Sequence, residues 1–497
     1  MFNKMIGKHL NVKEKHIAPI IWKHLYPSGN KNILMKVKYV KTNLLIGVFI
    51  VLIIISGAVG YIVGQQTGAP AQQYTPPQKI KAAWIYVGPI GDAGWTFMHD
   101  IGRRYVETIF KDWLETTYVE SVTPDKVVST VDDLVSKGYN VIFTTSFDFM
   151  DATIEAAKKY PNVMFFHCSG YRRAPNVGTY FADLYEVYYL NGLMAGALTQ
   201  TGQIGYVAAY LIPEVVRHIN AFAIGAKEVG DALGKNITVH VIEIGSWYDP
   251  TKARQAADTL KKQYNVDVLA FTEDSSAVIE YGEQNGVHVF SHYGPMAKYG
   301  PTYTVSGQIV RWEVIYADIL VKIKAGVLTP YNLEKVDYWY LLSSGAVDLG
   351  GDIGDDGRPV LINPRYEPIL KGIMVTDKLT GERISVYDLV MRRYWQMRGA
   401  FAVIPFQFSS ETHRYENILS ITMNWGGMIG EKPYPIASEY DPFTGPLTGY
   451  CLMDNPLSAW CSGKPKGATV NIPAGTRLGH DDLWNMDFFM SWVIKEG

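Results

Sequence analysis

TVHVIEIGSWYDPTKARQAADTLKKQYNVDVLAFTED, residues 238–274, contains one full unit of the pattern that decides the fold. Thr238–Ile244 is a short apolar-rich run of strand length. Gly245-Ser246-Trp247-Tyr248-Asp249-Pro250 ends it. Asp249 suits a helix N-cap and Pro250 the first helical position, where a missing N–H costs nothing. The helical pattern then runs over Pro250–Gln263, and Val266–Phe271 is the next apolar run. Strand, helix and strand in this order predict parallel pairing, because the helix carries the chain back along the sheet.

The same alternation extends both ways. Ala82–Val87, Val141–Thr145, Val163–Cys168, Ile204–Ala208 and Val287–Ser291 read as further buried strands. Asp151–Lys159 and Glu214–Val229, the latter behind Pro213, read as helices between them. The expected architecture is α/β, with parallel sheets covered by helices on both faces. There are too many strands for one simple sheet. Glu186–Thr201 reads as a helix leading from a first lobe (80–201) into a second (202–310). Trp312–Gly326 would turn back, making 311–375 a crossover and hinge region. Residues 376–440 break the alternation and read as an insertion, with a basic helix-like stretch at Leu389–Arg398. Residues 441–497 would complete the lobes.

Leu44–Val63 is apolar or small throughout and uncharged, long enough to cross a bilayer as a helix. Lys31, Lys36, Lys38 and Lys41 precede it and no charge follows it over residues 65–73. The positive-inside rule then places 1–43 in the cytoplasm and 64–497 outside, with 44–63 as a signal anchor and 64–79 as a Gln/Ala/Pro-rich linker. A cleaved signal peptide is the other reading of this segment.

Composition narrows the function classes. The 497 residues carry a formal net charge of -2, which gives no polybasic footprint for nucleic acid. With 47% hydrophobic and 19% charged residues, the chain is globular. Its 33 tyrosines and 12 tryptophans supply faces that suit planar ligands as well as cores. Cys168 lies in an apolar run and reads as a buried thiol. Cys451 and Cys461 lie ten positions apart in a Pro/Gly-rich stretch, a spacing open to a disulfide if that stretch is extracellular.

In open parallel sheets ligands bind beyond the C-terminal strand ends. The first such loop is Gly88-Pro89-Ile90-Gly91-Asp92-Ala93-Gly94-Trp95-Thr96, where Asp92 can accept hydrogen bonds and Trp95 can stack. It matches neither the dinucleotide fingerprint nor a Walker loop, and a plain turn is its other reading. Phe147 follows the strand at Val141–Thr145, either at the ligand or packing between lobes, and Asp151 suits a helix cap. Trp247 and Asp274 end strands of the second lobe. An aromatic beside an acid or hydroxyl at several strand ends is what a flat heterocycle with N–H donors requires. His288 and His292 lack a third ligand and read as ordinary histidines; Asp348–Gly357 reads as a solvated turn rather than a calcium loop. No metal or cofactor is implied. Asn236-Ile237-Thr238 is a glycosylation sequon.

Tyr86–Thr96, Ile142–Asp151, Pro175–Phe181, Gly202–Ala209, Ile212–Phe222, Asp441–Leu447, Val470–Gly475 and Met486–Phe489 together resemble the basic membrane protein family of ABC-transporter receptors, which includes purine nucleoside receptors. The resemblance implies a two-lobed type I periplasmic-binding-protein fold with a cleft between doubly wound sheets joined by a hinge. It implies an ABC permease and its ATPase as partners. Asp92 and Trp95 would line the cleft, with Phe147, Trp247, Asp274 and Trp312. Nucleoside-binding relatives carry an acid after the strand that here reads His288–Ser291, and a lysine further on. His292-Tyr293-Gly294-Pro295-Met296 has no acid. That departure puts a free base such as adenine ahead of a nucleoside. The rival classes are an extracellular nucleoside-processing enzyme, for which Asp92 is the candidate base, and a surface sensor without transport.

Overall fold

The computed structural model describes residues 74–355, 357–398, 407–409, 414–416 and 440–497. The apolar run at 44–63 and most of the stretch from 399 to 439 lie outside the described residues. Among the described residues no helix is long and apolar enough to cross a membrane.

Two sheets form the core. The first has six parallel strands: β1 (Ile80–Ile85), β2 (Leu114–Val119), β3 (Val141–Thr144), β4 (Met164–Cys168), β5 (Val177–Ala182) and, much later in the chain, β11 (Asp337–Tyr340). Their spatial order is β11-β5-β4-β3-β1-β2. The second sheet holds β6 (Gln203–Ala208), β7 (Thr238–Glu243), β8 (Val268–Thr272), β9 (His288–Ser291), β10 (Thr304–Val310), β12 (Val347–Leu349) and the terminal strand Val493–Lys495. Its order is β12-β10-β9-β8-β6-β7, with Val493–Lys495 beyond β7. Only β12 runs antiparallel to its neighbour.

Helices fill the connections: α1 (Trp95–Ile109), α2 (Val127–Ser136), α3 (Met150–Lys159), α4 (Tyr185–Leu198), α5 (Pro213–Ala232), α6 (Pro250–Tyr264), α7 (Ala277–Asn285) and α8 (Trp312–Lys324). The Asp249 side chain accepts from Lys252 N at 3.0 Å, so the predicted cap forms with Pro250 at the first helical position. The chain crosses between sheets three times: through α4, through α8, and again between β11 and β12. Three such passages make a hinge. α4 is buried along its entire length, which explains why its sequence shows no polar face.

The strands that escaped the sequence reading have identifiable reasons. β2 is an edge strand with only Leu114 fully buried, so Leu-Glu-Thr-Thr-Tyr-Val lacks an apolar run. β10 is buried at every position yet contains Ser306, Gly307 and Gln308. β5, β11 and β12 were likewise unread as strands, being short or polar-interrupted.

Asp151 does not cap α3; it lies in the first turn and pairs with Arg172. Asp348 is no solvated turn residue: it is buried, accepting from Tyr394 Oη and Arg398 Nη1, each at 2.8 Å. Those two residues lie on the helix Val386–Arg398, which begins three residues before the basic stretch read from sequence. Cys451 and Cys461 form a disulfide, and Cys168 is a buried free thiol.

Candidate ligand-binding site

Strand register decides which loops meet. Ala208 of β6 pairs with Glu243 of β7 and with Thr272 of β8, so three second-lobe strands end level. The loops carrying Trp247 and Asp274 therefore open at one height. On the first sheet Ile85 pairs with Thr144, and Thr144 with His167, which brings the loops after β1, β3 and β4 together in the same way.

Between the lobes lies a narrow cavity, about 310 Å³ of non-atom space with the adjoining open solvent included. Its walls are Val87, Trp95, Ser146, Phe147, Ser169, Glu214, Trp247, Asp274 and Tyr293. Four aromatic rings and two carboxyls face one space, and no basic side chain is among these lining residues.

The aromatic wall is held rigidly. Trp95 opens α1, and its indole Nε1 donates to Thr145 O at 2.6 Å. Tyr293 meets it edge to face at 4.8 Å across the cleft. Trp247 Nε1 donates to Asp148 Oδ2 at 3.1 Å, a second contact between lobes. Glu214 in the first turn of α5 accepts from Tyr293 Oη at 2.8 Å and from Ser169 Oγ of the first lobe. A Cβ on Gly94 would stand 3.0 Å from Asp274 O, tight enough that a larger residue would require the facing backbone to give by a few tenths of an ångström. The structure is thus a closed form.

Backbone strain gathers at the same place. Ala93, Ser169 and Tyr293 have φ of 69°, 68° and 60°. Left-handed backbone costs a non-glycine residue roughly 1–2 kcal/mol, and such residues concentrate where a fold holds a ligand site in shape.

Of the six residues selected from sequence, Trp95, Phe147, Trp247 and Asp274 reach the cavity wall. Asp92 and Trp312 stand behind it. Asp92 Oδ1 accepts from Gly94 N at 3.0 Å and Phe97 N at 2.9 Å, and Oδ2 accepts from Thr96 N at 2.8 Å. It is the N-terminal clamp of α1, and those bonds occupy the carboxylate that an enzymatic reading needs as a base. Burial lifts its pKa above the ordinary carboxyl value, and the N–H donors oppose the lift. Trp312 is fully buried, stacked on His99 at 3.9 Å and edge-on to Trp95 at 5.3 Å, so it supports the indole from the rear. His288 and His292 bond to Tyr366 Oη at 2.8 Å and Tyr188 Oη at 2.6 Å. No group of residues that could hold a metal occurs among the described residues.

Val87, Ser146, Ser169, Glu214 and Tyr293 are wall residues that the sequence did not single out. Glu214 carried a usable signal: it follows the C-terminal end of β6 and a proline that starts a helix, so it was bound to face the cleft.

Residues 79–348 match the Bmp family model, described as ABC transporter substrate-binding proteins, PnrA-like. The chain belongs to the Bmp family. A purine-binding protein of Brucella abortus is 34% identical over 273 residues, 55% of this chain and 75% of that one. A putative ABC transporter glucose-binding protein of Haloferax volcanii is 36% identical over 292 residues, 59% of this chain and 70% of that one. Among solved structures, an ABC transporter solute-binding protein from Aeropyrum pernix K1 is similar with a TM-score of 0.49 and 17% identity, covering 69% of this chain and 85% of that one. As a Bmp protein the chain is an ABC transporter solute-binding protein with a two-lobed periplasmic-binding-protein fold.

The acids of this Bmp cleft are electrostatically strained. Burial raises Asp274 well above the usual carboxyl range, reinforced by Asp92, Glu273 and Glu214. Burial also pushes Glu273 up to about 7, against the hydrogen bonds from Ser275 and with help from Asp249 and Asp92. Glu273, the fully buried neighbour of Asp274 in sequence, accepts from Ser275 Oγ at 2.6 Å and Ser275 N at 3.1 Å. A carboxyl whose pKa is higher folded than unfolded takes up a proton on folding. Its penalty is absent below pH about 4.5 and grows until pH passes about 7. Glu273→Gln is expected to flatten the fall in stability over that window and to gain about 1–2 kcal/mol at pH 8, the amide recovering only part of the Ser275 bonding. Urea unfolding of both proteins between pH 4.5 and 8 measures it; parallel curves would show that Glu273 titrates normally.

Proposed function

We propose that this chain captures a purine base, adenine first and a purine nucleoside second, and delivers it to an ABC permease. Leu44–Val63 would hold the chain in the cell membrane with residues 64–497 outside. The observation that carries the ligand reading is the cavity between the lobes. Trp95, Phe147, Trp247 and Tyr293 offer ring faces and edges to a flat guest, while Asp274 and Glu214 offer acceptors to its N–H donors. The Asp274 carboxyl makes no side-chain hydrogen bond among the described residues, which leaves it available to a ligand. A purine N–H placed against it would repay the cost of its burial. The purine-binding relative agrees with this chemistry.

Capture proceeds by closure. The guest stacks on the first-lobe aromatics, and the second lobe brings Asp274, Trp247 and Tyr293 over it. Water leaves the ring faces and the carboxyl contacts strengthen in the drier space.

Isothermal titration of the purified full-length chain with adenine, guanine, adenosine and glucose tests the proposal. Adenine is expected to bind one per chain and glucose not at all. Binding of glucose with no response to any purine would replace this reading with a sugar receptor.

A further inference from the structure

We infer that Trp484 is a positioning residue for ligand capture, one half of a clasp that holds the two lobes together at the rim of the cleft. The inference rests on the lobe-closure reading above, though its first test does not depend on the ligand.

The C-terminal segment belongs structurally to the second lobe. Val493–Lys495 pairs with β7, Asn220 Nδ2 of α5 donates to Phe488 O at 2.7 Å, and its Oδ1 accepts from Met490 N at 2.9 Å. Trp492 Nε1 donates to Ala223 O at 3.0 Å. Just before this anchored stretch, the short helix His480–Trp484 reaches the other lobe. Trp484 meets Phe181 edge to face at 5.8 Å and Trp339 at 6.3 Å, and His480 meets Trp339 at 4.8 Å. Phe181 and Trp339 are register partners near the C-terminal ends of β5 and β11, at the cleft side of the first sheet. Arg217 of α5 lies over both Phe181, at 5.6 Å, and Trp484, at 5.1 Å, closing the cluster from the second lobe.

Three features make this a clasp rather than ordinary packing. Its ring contacts join one lobe to the other. The contacts of Trp484 with Phe181 and Trp339 are ring contacts, while Arg217 and Trp339 are also tied to Asp183 at 2.6 and 2.8 Å. They also stand beside the ligand space: Trp484 and Arg217 wall an outer, solvent-open chamber that shares Phe147, Ser169 and Glu214 with the inner cavity. The helix lies beyond residue 348, where the Bmp match ends. Closure is then favoured from two places, by the guest inside and by the C-terminal rings at the rim. A contact present only in the closed state slows escape of the guest.

The test compares wild type with Trp484→Ala and Trp484→Phe in the full-length chain. Small-angle scattering of ligand-free protein is expected to show a larger radius of gyration for W484A and a wild-type value for W484F. Stopped-flow dissociation of adenine is expected to be about tenfold faster for W484A and near wild type for W484F, the scale of losing cross-lobe aromatic pairs. A folded W484A with wild-type scattering overturns the clasp. Should W484A fail to fold, Trp484→Leu keeps the apolar volume without the ring, and wild-type scattering from folded W484L overturns it equally. If wild type binds no purine, the ligand proposal fails alone and the scattering still decides the clasp.

Discussion

Trp95→Ala is expected to weaken adenine binding by about 3 kcal/mol, more than a hundredfold in Kd, with little change in overall fold. The indole is held from several sides: its N–H is given to Thr145 O, Tyr293 and His99 meet it edge to face, and Trp312 stands behind. A ring fixed in this way loses no side-chain freedom when a guest stacks on it, so its contact area converts efficiently into affinity. Truncation removes the stacking face and leaves Thr145 O without its donor. It also removes one support of Tyr293, which keeps its bond to Glu214 and its contact with His292. Trp95→Phe keeps a ring and loses the N–H, so its Kd should fall between the two. Titration calorimetry with adenine on all three proteins measures this. Equal affinities would remove Trp95 from the binding surface and the purine proposal with it.

What could be read from the chain beforehand follows a physical division. Thr238–Ile244, Asp249-Pro250 and Val266–Phe271 were legible because buried parallel strands are apolar runs and because Asp-Pro starts helices by local chemistry. The rule that ligands sit beyond strand C-termini then located Trp95, Phe147, Trp247 and Asp274. Asp92 misled because a cap and a ligand acceptor need the same carboxylate; only the three backbone N–H groups around it separate the roles. Trp312 misled because an aromatic behind a wall resembles one in it. Tyr293 and Ser169 were invisible because their placement depends on left-handed backbone, which neither residue type signals. The clasp was invisible for a different reason: Phe181, Trp339 and Trp484 meet only after the chain has crossed between the lobes and returned.

The hinge explains how these parts move as two bodies, and it gives the largest stability effect expected of a single substitution. Asp183 follows β5, where the chain leaves the first sheet, and is fully buried. It accepts from Arg217 Nε at 2.6 Å, His218 Nε2 at 3.1 Å and Trp339 Nε1 at 2.8 Å. One carboxylate thus joins the start of α4, the second-lobe helix α5 and the first-lobe strand β11. Burial alone would raise its pKa, but Arg217, His218 and Trp339 more than offset that and hold it at about 2. A depressed carboxyl contributes stability above its unfolded pKa, near 3.8, and loses it as pH falls through 2. Asp183→Ala removes that contribution at every pH and leaves the Arg217 guanidinium, only 2% exposed, without its counter-charge. The expected cost is about 3–5 kcal/mol at pH 7, the usual price of breaking a buried pair from one side. Asp183→Asn should cost less, since the amide oxygen can still accept from Trp339 or His218. Urea unfolding at pH 7 and at pH 3 separates the effects: the gap between wild type and D183A should be wide at pH 7 and narrower at pH 3. A gap that stays constant would mean that Asp183 supports the hinge through shape alone and that its charge contributes nothing.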